Sequence, residues 1–190
     1  MKWLFVRHGE IPSNVNKVYA GWSEEELTPK GVRQAKDARK KLSELDIDAV
    51  YCSPLKRTKQ TADIICENLD CLPITNEAFI ELRMGPWEGL SEAEVADTYP
   101  KEWNLWNTRP AELNLQRRET LEQLQQRVLK GLVSIEENYI DDTSILIVTH
   151  VAVMRVIFLH SVLKSLNEYK TIPVENGGIF TFESLSLEKI

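Results

Sequence analysis

The feature that most restricts the fold is a set of short runs of apolar residues. Trp3-Leu4-Phe5-Val6 and Ile145-Leu146-Ile147-Val148 are apolar at every position, so each is expected to be buried on both faces of a sheet. Ala49-Val50-Tyr51-Cys52 indicates a third short strand. Strands that are buried on both faces are typical of parallel sheets covered by helices on either side.

Helical patterns separate these strands. Thr28-Pro29 supplies an N-cap residue followed by proline at the first helical position, and apolar residues then recur at helical spacing to Leu45. Ser53-Pro54 repeats this signature and predicts a helix that runs to about Leu69. Residues 121 to 135 indicate another amphipathic helix, and the apolar stretch after Val148 indicates a buried one.

The other segments complete the prediction of a single domain over residues 1–190. Residues 72 to 82 are expected to be extended, and 178 to 183 to form a final strand. Residues 83 to 118 are the least regular and predict a small helical cap inserted into the domain. Alternating strands and helices indicate an α/β fold, with three α/β/α layers and a mostly parallel sheet that carries helices on both faces.

Composition excludes several classes of function. The net charge of -6 opposes a role in nucleic-acid binding, which needs a basic face. The three cysteines form no CxxC pair, which favours reduced thiols and a cytoplasmic protein. The longest apolar run, Val151 to Leu163, contains Arg155 and His160, so no membrane span is expected.

Ionisable residues follow three of the predicted strands. Arg7 and His8 follow the first, Arg57 lies just after the second, and His150 follows the run at 145–148. Ligands of such sheets bind at the carboxyl ends of the strands. We therefore expect these four side chains to converge on one edge of the sheet.

Such a cluster suits a phosphate dianion. Guanidinium groups offer forked, permanently charged donors, and the predicted helix start at Ser53-Pro54 adds backbone donors. A neutral histidine held in one tautomer attacks phosphorus, and a carboxylic acid must protonate the leaving oxygen. Glu81 is the candidate acid, with Glu88 as its rival. Considered singly, His8 and its partners are also compatible with structural roles.

Four blocks of sequence resemble the histidine phosphatase superfamily, in the branch that contains cofactor-dependent phosphoglycerate mutase. They occur in the family's order over nearly the whole chain: Arg7-His8-Gly9-Glu10 with Asn14, Cys52 to Ala62, Glu81 to Gly89, and Val148-Thr149-His150 with Arg155. The layout is most similar to α-ribazole-phosphate phosphatase and to broad-specificity bacterial phosphatases.

The resemblance implies a role for each matching residue. His8 would be the nucleophile that forms a phosphohistidine, and Glu81 the general acid and later the base. The phosphate-binding residues would be Arg7, Asn14, Arg57 and His150. Gly21, Arg83 and Trp87 are expected at the substrate pocket. No metal and no cofactor would be needed, the partner would be a small phosphorylated substrate, and a homodimer is left open.

Departures from the family pattern affect substrate contacts more than the core chemistry. Ile11 and Val151 replace the usual residues, and Ala20 and Leu82 differ from the mutases, which are also longer. The sequence therefore favours a phosphomonoesterase for a small metabolite, with α-ribazole 5'-phosphate as one candidate. A phosphoglycerate mutase and a non-catalytic phosphate-binding module are the alternatives.

The segment at 83–118 also carries a charge signal. Four arginines in it suggest a ligand with further negative charge, although they are equally compatible with plain surface charge: Arg83, Arg109, Arg117 and Arg118. Trp103 and Trp106 either line a pocket or form the packing of the predicted cap, and packing is favoured.

Overall fold

The computed structural model describes residues 1–67, 69, 71–140 and 142–185, and these residues contain a five-stranded sheet. The strands are β1 (Lys2–Arg7), β2 (Ala49–Cys52), β3 (Ile74–Thr75), β4 (Ser144–Thr149) and β5 (Ile179–Phe182). Their order is β3-β2-β4-β1-β5. All neighbouring strands are parallel except β5, which runs antiparallel to β1. The predicted fold class, an α/β fold with a mostly parallel sheet, is therefore confirmed.

Helices cover both faces of the sheet. The α-helices in the described residues are α1 (Pro12–Asn16), α2 (Pro29–Leu42), α3 (Lys56–Cys66), α4 (Glu92–Thr98), α5 (Pro100–Thr108), α6 (Leu121–Glu136) and α7 (Val151–Ser161). Short 3₁₀ helices span Glu77–Phe79, Gly85–Trp87, Pro110–Glu112 and Leu166–Thr171. Helices α2 and α3 pack on one face, and α6 and α7 on the other.

The two faces follow from the alternation of side chains along the strands. In β1, Leu4 and Val6 join the core beneath α2 and α3, whereas Trp3 and Phe5 join the core beneath α6 and α7. All four side chains are fully buried. This is the burial on both faces that the wholly apolar run predicts.

The start of α2 was predicted correctly from its local N-cap signal. Thr28 caps α2, and its hydroxyl oxygen accepts a hydrogen bond from the backbone N–H of Gly31 at 3.0 Å. The prediction for Ser53-Pro54 is wrong, because α3 begins at Lys56 and its N-cap residue, Leu55, has no capping side chain. The Ser53 hydroxyl instead lies 2.7 Å from the imidazole Nε2 of His150.

Two further predicted boundaries are corrected. Helix α3 ends at Cys66 rather than near Leu69. The segment at 72–82 is strand only at Ile74–Thr75, because Asn76 then folds the chain into a 3₁₀ turn. Its side-chain oxygen accepts from the backbone N–H of Ala78 at 2.9 Å. The last strand lies where it was predicted, within residues 178–183.

Residues 83–118 pack around an aromatic cluster centred on Trp87. The Trp87 ring lies 5.8 Å from that of Tyr19, 6.3 Å from that of Trp103 and 6.2 Å from that of Trp106, measured between ring centroids. The guanidinium of Arg118 lies 5.3 Å from the Trp87 ring and 4.4 Å from the Trp106 ring. This cluster fixes helix α5, which carries Trp103 and Trp106, against the rest of the domain.

The described residues also bear on thiols, membrane spans and metal sites. All three cysteines have free thiols. Across the described ranges, no helix has both the length and the apolar character needed to cross a bilayer. Among the same residues, no group of three or more histidine, cysteine, aspartate or glutamate side chains is arranged to hold a metal ion.

Candidate active site

The sheet brings His8 and His150 together. Strands β1 and β4 are parallel neighbours, with Arg7 in register with Thr149. The residues that follow these two strands are therefore side by side, and the backbone N–H of His8 donates to the carbonyl of Thr149 at 3.0 Å. The two imidazole centroids are 5.2 Å apart.

One hydrogen bond fixes the tautomer of His8. Its Nδ1 lies 2.7 Å from the carbonyl oxygen of Gly9, and because a carbonyl only accepts, Nδ1 must carry the proton. The lone pair is then on Nε2. Burial lowers the pKa of His8 well below its usual value, and the nearby charges of Arg57 and Arg7 lower it further. The imidazole is therefore neutral at neutral pH, as a nucleophile must be.

His150 is held by a residue from the second strand's end. Its Nε2 lies 2.7 Å from the hydroxyl oxygen of Ser53. Among the described residues, its buried Nδ1 has no hydrogen-bond partner. Burial, followed by Arg57, lowers the pKa of His150 well below its usual value. The ring is therefore neutral, and one nitrogen is not used by the protein.

Backbone carbonyls orient the two arginines. The Nη1 of Arg57 donates to the carbonyl of Ser23 at 2.7 Å and its Nη2 to that of Gly21 at 2.8 Å. The Nη1 of Arg7 donates to the carbonyl of Val174 at 2.6 Å. Burial lowers the pKa of both groups, to about 10 for Arg7. Both keep their charge at neutral pH, and in the described structure each has a buried Nε with no protein partner.

Glu81 supplies the carboxyl group of the site. One of its oxygens accepts from the backbone N–H of Leu82 at 2.8 Å, and the side chain lines the cavity described below. Burial raises the pKa of Glu81, against the opposing charge of Arg57. Its rival, Glu88, accepts from the backbone N–H of Met84 at 3.1 Å and is not part of the cavity wall. The geometry therefore favours Glu81 as the acid.

His8, Arg7, Arg57 and Glu81 line a cavity of about 510 Å³, a size typical of small-molecule sites. His150 is fully buried next to His8 and is not part of the cavity wall. Asn14 lies in its wall, and the Oδ1 of Asn14 accepts from the backbone N–H of Ile11 at 3.2 Å and from the Nδ2 of Asn176 at 3.0 Å. This leaves the amide Nδ2 of Asn14 to donate to a ligand. The remaining predicted site residues in the wall are Arg7, His8, Gly21, Arg57 and Glu81.

Gly21 occupies a position that a residue with a Cβ would adopt only with strain. Its φ is +50°, and a Cβ there would lie 2.4 Å from the carboxyl group of Glu88. Its carbonyl also holds Arg57. The close approach of the chain at Gly21 therefore sets the position of a phosphate-binding group.

The structure places Arg83 and Trp87 away from the cavity wall, which departs from the sequence expectation. Arg83 is exposed, and its guanidinium lies 5.2 Å from the Trp22 ring. Trp87 is fully buried in the aromatic cluster. The flanking residues Leu82 and Met84 do line the cavity, so it is the Arg83 side chain, rather than this segment of the chain, that lies away from the site. Trp106 has both roles that were considered, because it packs on Trp87 and lines the cavity.

Several residues at the site carry no signal in the sequence motifs. Arg127 of α6 donates to the carbonyls of Ala78 at 2.8 Å and Glu81 at 3.2 Å, and so fixes the segment that carries the acid. Lys170 and Tyr169 reach the cavity from the 3₁₀ helix near the C-terminal strand. Only the docking of distant segments brings these residues to the site.

The arrangement defines a class of chemistry. A neutral imidazole with a free lone pair lies among two guanidinium groups, a second imidazole and a carboxyl group with a raised pKa. The backbone N–H groups at the start of α7, where Val151 and Ala152 line the cavity, add donors for an anion. These are the requirements of phosphoryl transfer to a histidine, in which positioning and charge stabilisation dominate.

The chain belongs to the histidine phosphatase superfamily, branch 1, whose family model matches residues 3–185. It is therefore a member of a family of metal-independent phosphatases. It is 30% identical over 178 residues to phosphoserine phosphatase 1 of Hydrogenobacter thermophilus, covering 94% of this chain and 84% of that protein.

Two further comparisons give a second relative in sequence and a neighbour in fold. The chain is 34% identical over 161 residues to the 2,3-bisphosphoglycerate-dependent phosphoglycerate mutase of Cytophaga hutchinsonii, covering 83% of this chain and 75% of the mutase. The crystal structure of the alpha-ribazole phosphatase from Shigella flexneri superposes with a TM-score of 0.84 at 22% identity, covering 95% of this chain and 89% of that one. The latter likeness concerns the fold.

Proposed function

We propose that the protein is a phosphomonoesterase that hydrolyses a small phosphorylated metabolite through a phosphohistidine on His8. The observation that carries the proposal is the 2.7 Å contact between Nδ1 of His8 and the carbonyl of Gly9. It holds the ring in one tautomer, with the Nε2 lone pair available. Because the ring is neutral and flanked by Arg7 and Arg57, it is suited to attack an anionic ester.

The first chemical step forms a bond between Nε2 of His8 and phosphorus while the bond from phosphorus to the ester oxygen breaks. The raised pKa of Glu81 favours its protonated form, and Glu81 gives its proton to the departing oxygen. Arg7, Arg57 and His150 stabilise the charge on the other phosphoryl oxygens, and Asn14 adds an amide donor.

The second step returns His8 to its starting state. A water molecule attacks the phosphohistidine, and the Glu81 carboxylate takes a proton from that water. The bond between phosphorus and Nε2 breaks, inorganic phosphate leaves, and the imidazole is again neutral. Each turnover therefore consumes one water molecule and needs no group beyond the side chains named here.

Trapping the intermediate tests this proposal. The protein is incubated with a ³²P-labelled phosphomonoester and quenched in base, and the expected result is an acid-labile, base-stable label on the protein. The label should be absent in His8→Ala and retained in His160→Gln, a matched control that alters the one histidine outside the site. Full turnover by His8→Ala would contradict the proposal.

A phosphoglycerate mutase is the second candidate, favoured by the 34% identity to a relative with that name. The pocket would serve both reactions, which differ in whether the phosphoryl group passes to water or back to the substrate. A coupled assay of 3- to 2-phosphoglycerate conversion, run beside an assay of phosphate release, separates them. Release of phosphate without conversion supports the phosphatase, and conversion in excess of release supports the mutase.

A panel of phosphate esters identifies the substrate. It includes α-ribazole 5'-phosphate, the candidate suggested by the layout of the four sequence blocks. Tight phosphate binding without turnover of any ester would favour the third hypothesis, a non-catalytic phosphate-binding module.

A homodimer also stays a prediction, which light scattering in solution tests.

A further inference from the structure

The charges lining the cavity exceed what a single phosphate needs. Five cationic side chains lie in its wall, namely Arg7, Lys17, Arg57, Arg155 and Lys170. In the described part of the wall, the carboxyl groups are those of Glu81 and Glu92. Arg7 and Arg57 flank His8, so three cations remain for another part of a ligand. This imbalance occurs in a chain whose net charge is -6.

Lys170 is held in place by aromatic rings and by an amide. Its Nζ lies 5.1 Å from the ring centroid of Trp103 and 5.9 Å from that of Trp106, and it donates to the side-chain oxygen of Asn107. Within the described residues it forms no ion pair with a carboxylate. Because each of these partners is neutral, the ammonium charge is positioned without being neutralised.

Arg155 adds a second oriented cation. Its Nε donates to the carbonyl of Ile172 at 2.9 Å, and its guanidinium carbon lies 5.0 Å from the ring centroid of Tyr169. Tyr169 is buried and precedes Lys170 in the 3₁₀ helix Leu166–Thr171. The same helix therefore sets the positions of both cations relative to the cavity.

Like charges accumulate on this side of the cavity. Burial lowers the pKa of Lys170; Glu92 opposes that shift, and Arg155, with a smaller effect, adds to it. Arg155 also lowers the pKa of Arg7, after the larger effect of burial. Placing cations close enough to repel one another costs free energy, and an anion bound between them removes that cost.

We propose that Lys170 and Arg155 form a second anion subsite, which binds a carboxylate on the leaving group. The inference uses the proposed function only to place the phosphate beside His8. Of the three remaining cations, Lys170 and Arg155 are the two that hydrogen bonds and aromatic rings orient. Against the carboxylate of Glu92 this oriented pair leaves one net positive charge, which matches a monoanion better than a second phosphate. The preferred substrates are therefore phosphomonoesters of small carboxylic acids, rather than esters of uncharged alcohols.

Binding to the His8→Ala protein tests the subsite without turnover. The two ligands are 3-phosphoglycerate and glycerol 3-phosphate, which differ only in a carboxylate against a hydroxymethyl group. We expect calorimetry to give about tenfold tighter binding of 3-phosphoglycerate, since a charge-assisted contact of this kind is worth roughly that factor. Adding Lys170→Met, which keeps the side-chain stem over the tryptophans, should remove most of this preference.

A matched control is Lys164→Met in the same background. Lys164 pairs with Glu168 on the surface, 2.7 Å away, and is not part of the cavity wall. It should leave the ratio of the two dissociation constants unchanged. Equal binding of the two ligands, or an equal loss for both in Lys170→Met, would overturn the subsite. If His8→Ala does not fold, competition of the two esters against p-nitrophenyl phosphate turnover by the otherwise native protein gives the same ratio.

The two proposals fail in different ways. If the native chain releases no phosphate from either ester or from p-nitrophenyl phosphate, the phosphatase proposal is contradicted, while the binding ratio still decides on the subsite. If phosphate is released from all three esters but the carboxylate confers no advantage in binding, the subsite is contradicted and the phosphatase proposal is supported.

Discussion

The imidazole rings of His8 and His150 meet edge to face, with their centroids 5.2 Å apart and an interplanar angle of 62°. This spacing places the fully buried ring of His150 directly beside the proposed nucleophile. Burial and the neighbouring arginines keep both rings neutral. The positive charge beside the two rings therefore comes from Arg7 and Arg57, and the histidines provide a lone pair and a hydrogen-bonding nitrogen.

The two buried histidines should make the protein less stable as the pH falls. In the folded state their pKa values lie well below 6.5, so the unfolded chain takes up protons first. The stability that the two neutral histidines contribute is therefore fully present above pH 6.5. It is lost as the pH falls towards their folded-state pKa values, at up to about 1.4 kcal/mol per pH unit for each histidine. Urea unfolding between pH 7.5 and 5.5 measures this slope.

His8→Gln should reduce that slope, because one of the two groups no longer binds a proton on unfolding. The raised pKa of Glu81 acts in the opposite direction, since the stability it contributes is present at low pH and is lost as the pH rises through its folded-state value. Identical slopes for the native chain and His8→Gln would show that His8 is not held neutral by the fold.

Glu81→Gln should discriminate between leaving groups. A positioned general acid contributes about 10²- to 10⁴-fold, so kcat/KM for an alkyl ester such as glycerol 3-phosphate should fall at least ~100-fold. The effect on p-nitrophenyl phosphate should be much smaller, because nitrophenolate leaves without a proton. The value of kcat/KM for the alkyl ester should also decline as the pH rises through the pKa of Glu81, and this decline should be absent in the variant.

Glu88→Gln is the matched control for this experiment. Glu88 is the other carboxyl candidate from the sequence, and its Oε1 accepts from the backbone N–H of Met84. A glutamine retains an acceptor oxygen there, so kcat/KM for both esters should stay within about threefold. A leaving-group effect in Glu88→Gln but not in Glu81→Gln would reverse the assignment of the acid.

Ser53→Ala should weaken phosphate binding through His150. The Ser53 hydroxyl is the polar partner of the His150 Nε2, at 2.7 Å, and both residues are fully buried. Removing one partner of a buried hydrogen bond costs about 1–3 kcal/mol. We expect a lower Tm and about a tenfold higher inhibition constant for inorganic phosphate, because the His150 ring is no longer oriented.

Ser161→Ala separates this effect from a general loss of stability in α7. The Ser161 hydroxyl donates to the carbonyl of Phe158 at 2.8 Å, at the opposite end of the helix from His150. It should leave the inhibition constant of phosphate unchanged. A Ser53→Ala protein that loses stability but binds phosphate as tightly as the native chain would contradict the role given to Ser53.

The parts of the fold and site that could be predicted are those with local signals. His8 and His150 follow wholly apolar runs, and parallel strands place their carboxyl ends on one edge. Ser53 shows the limit of such reasoning. It has the sequence signature of an N-cap residue, yet its hydroxyl is hydrogen-bonded to the imidazole of His150, 97 residues away. The buried imidazole needs a hydrogen-bond partner from the protein, whereas a helix start near solvent does not.

The rest of the site depends on how segments dock. Arg83 is close to Glu81 in sequence, and its neighbours Leu82 and Met84 line the cavity, but its guanidinium lies over the Trp22 ring outside the cavity wall. Lys170 is far from every block, and it reaches the cavity only because its 3₁₀ helix packs against the tryptophans of the 83–118 segment. Neither the position of Arg83 nor that of Lys170 could be predicted from the spacing of residues in the sequence.

Arg127→Met should weaken general acid catalysis by Glu81, although Arg127 itself is not part of the cavity wall. The Arg127 guanidinium donates to the carbonyls of Ala78 and Glu81, and it is fixed by Glu119, whose carboxylate oxygens lie 2.7 and 2.8 Å from Nε and Nη2. Without these contacts the segment that carries Glu81 is less well positioned, and small displacements of a catalytic group have large effects. We expect kcat/KM for glycerol 3-phosphate to fall about tenfold, with a smaller loss for p-nitrophenyl phosphate.

Arg109→Met provides the control for Arg127→Met, because Arg109 is an exposed arginine that pairs with Glu112 at 3.0 Å and is not part of the cavity wall. It should change neither kinetic parameter. Arg127→Lys should recover little activity, because a single ammonium cannot reproduce contacts to two carbonyls and a carboxylate. An equal loss of kcat/KM for both esters in Arg127→Met would indicate a general disturbance of the pocket, and the positioning of Glu81 by Arg127 would then be rejected.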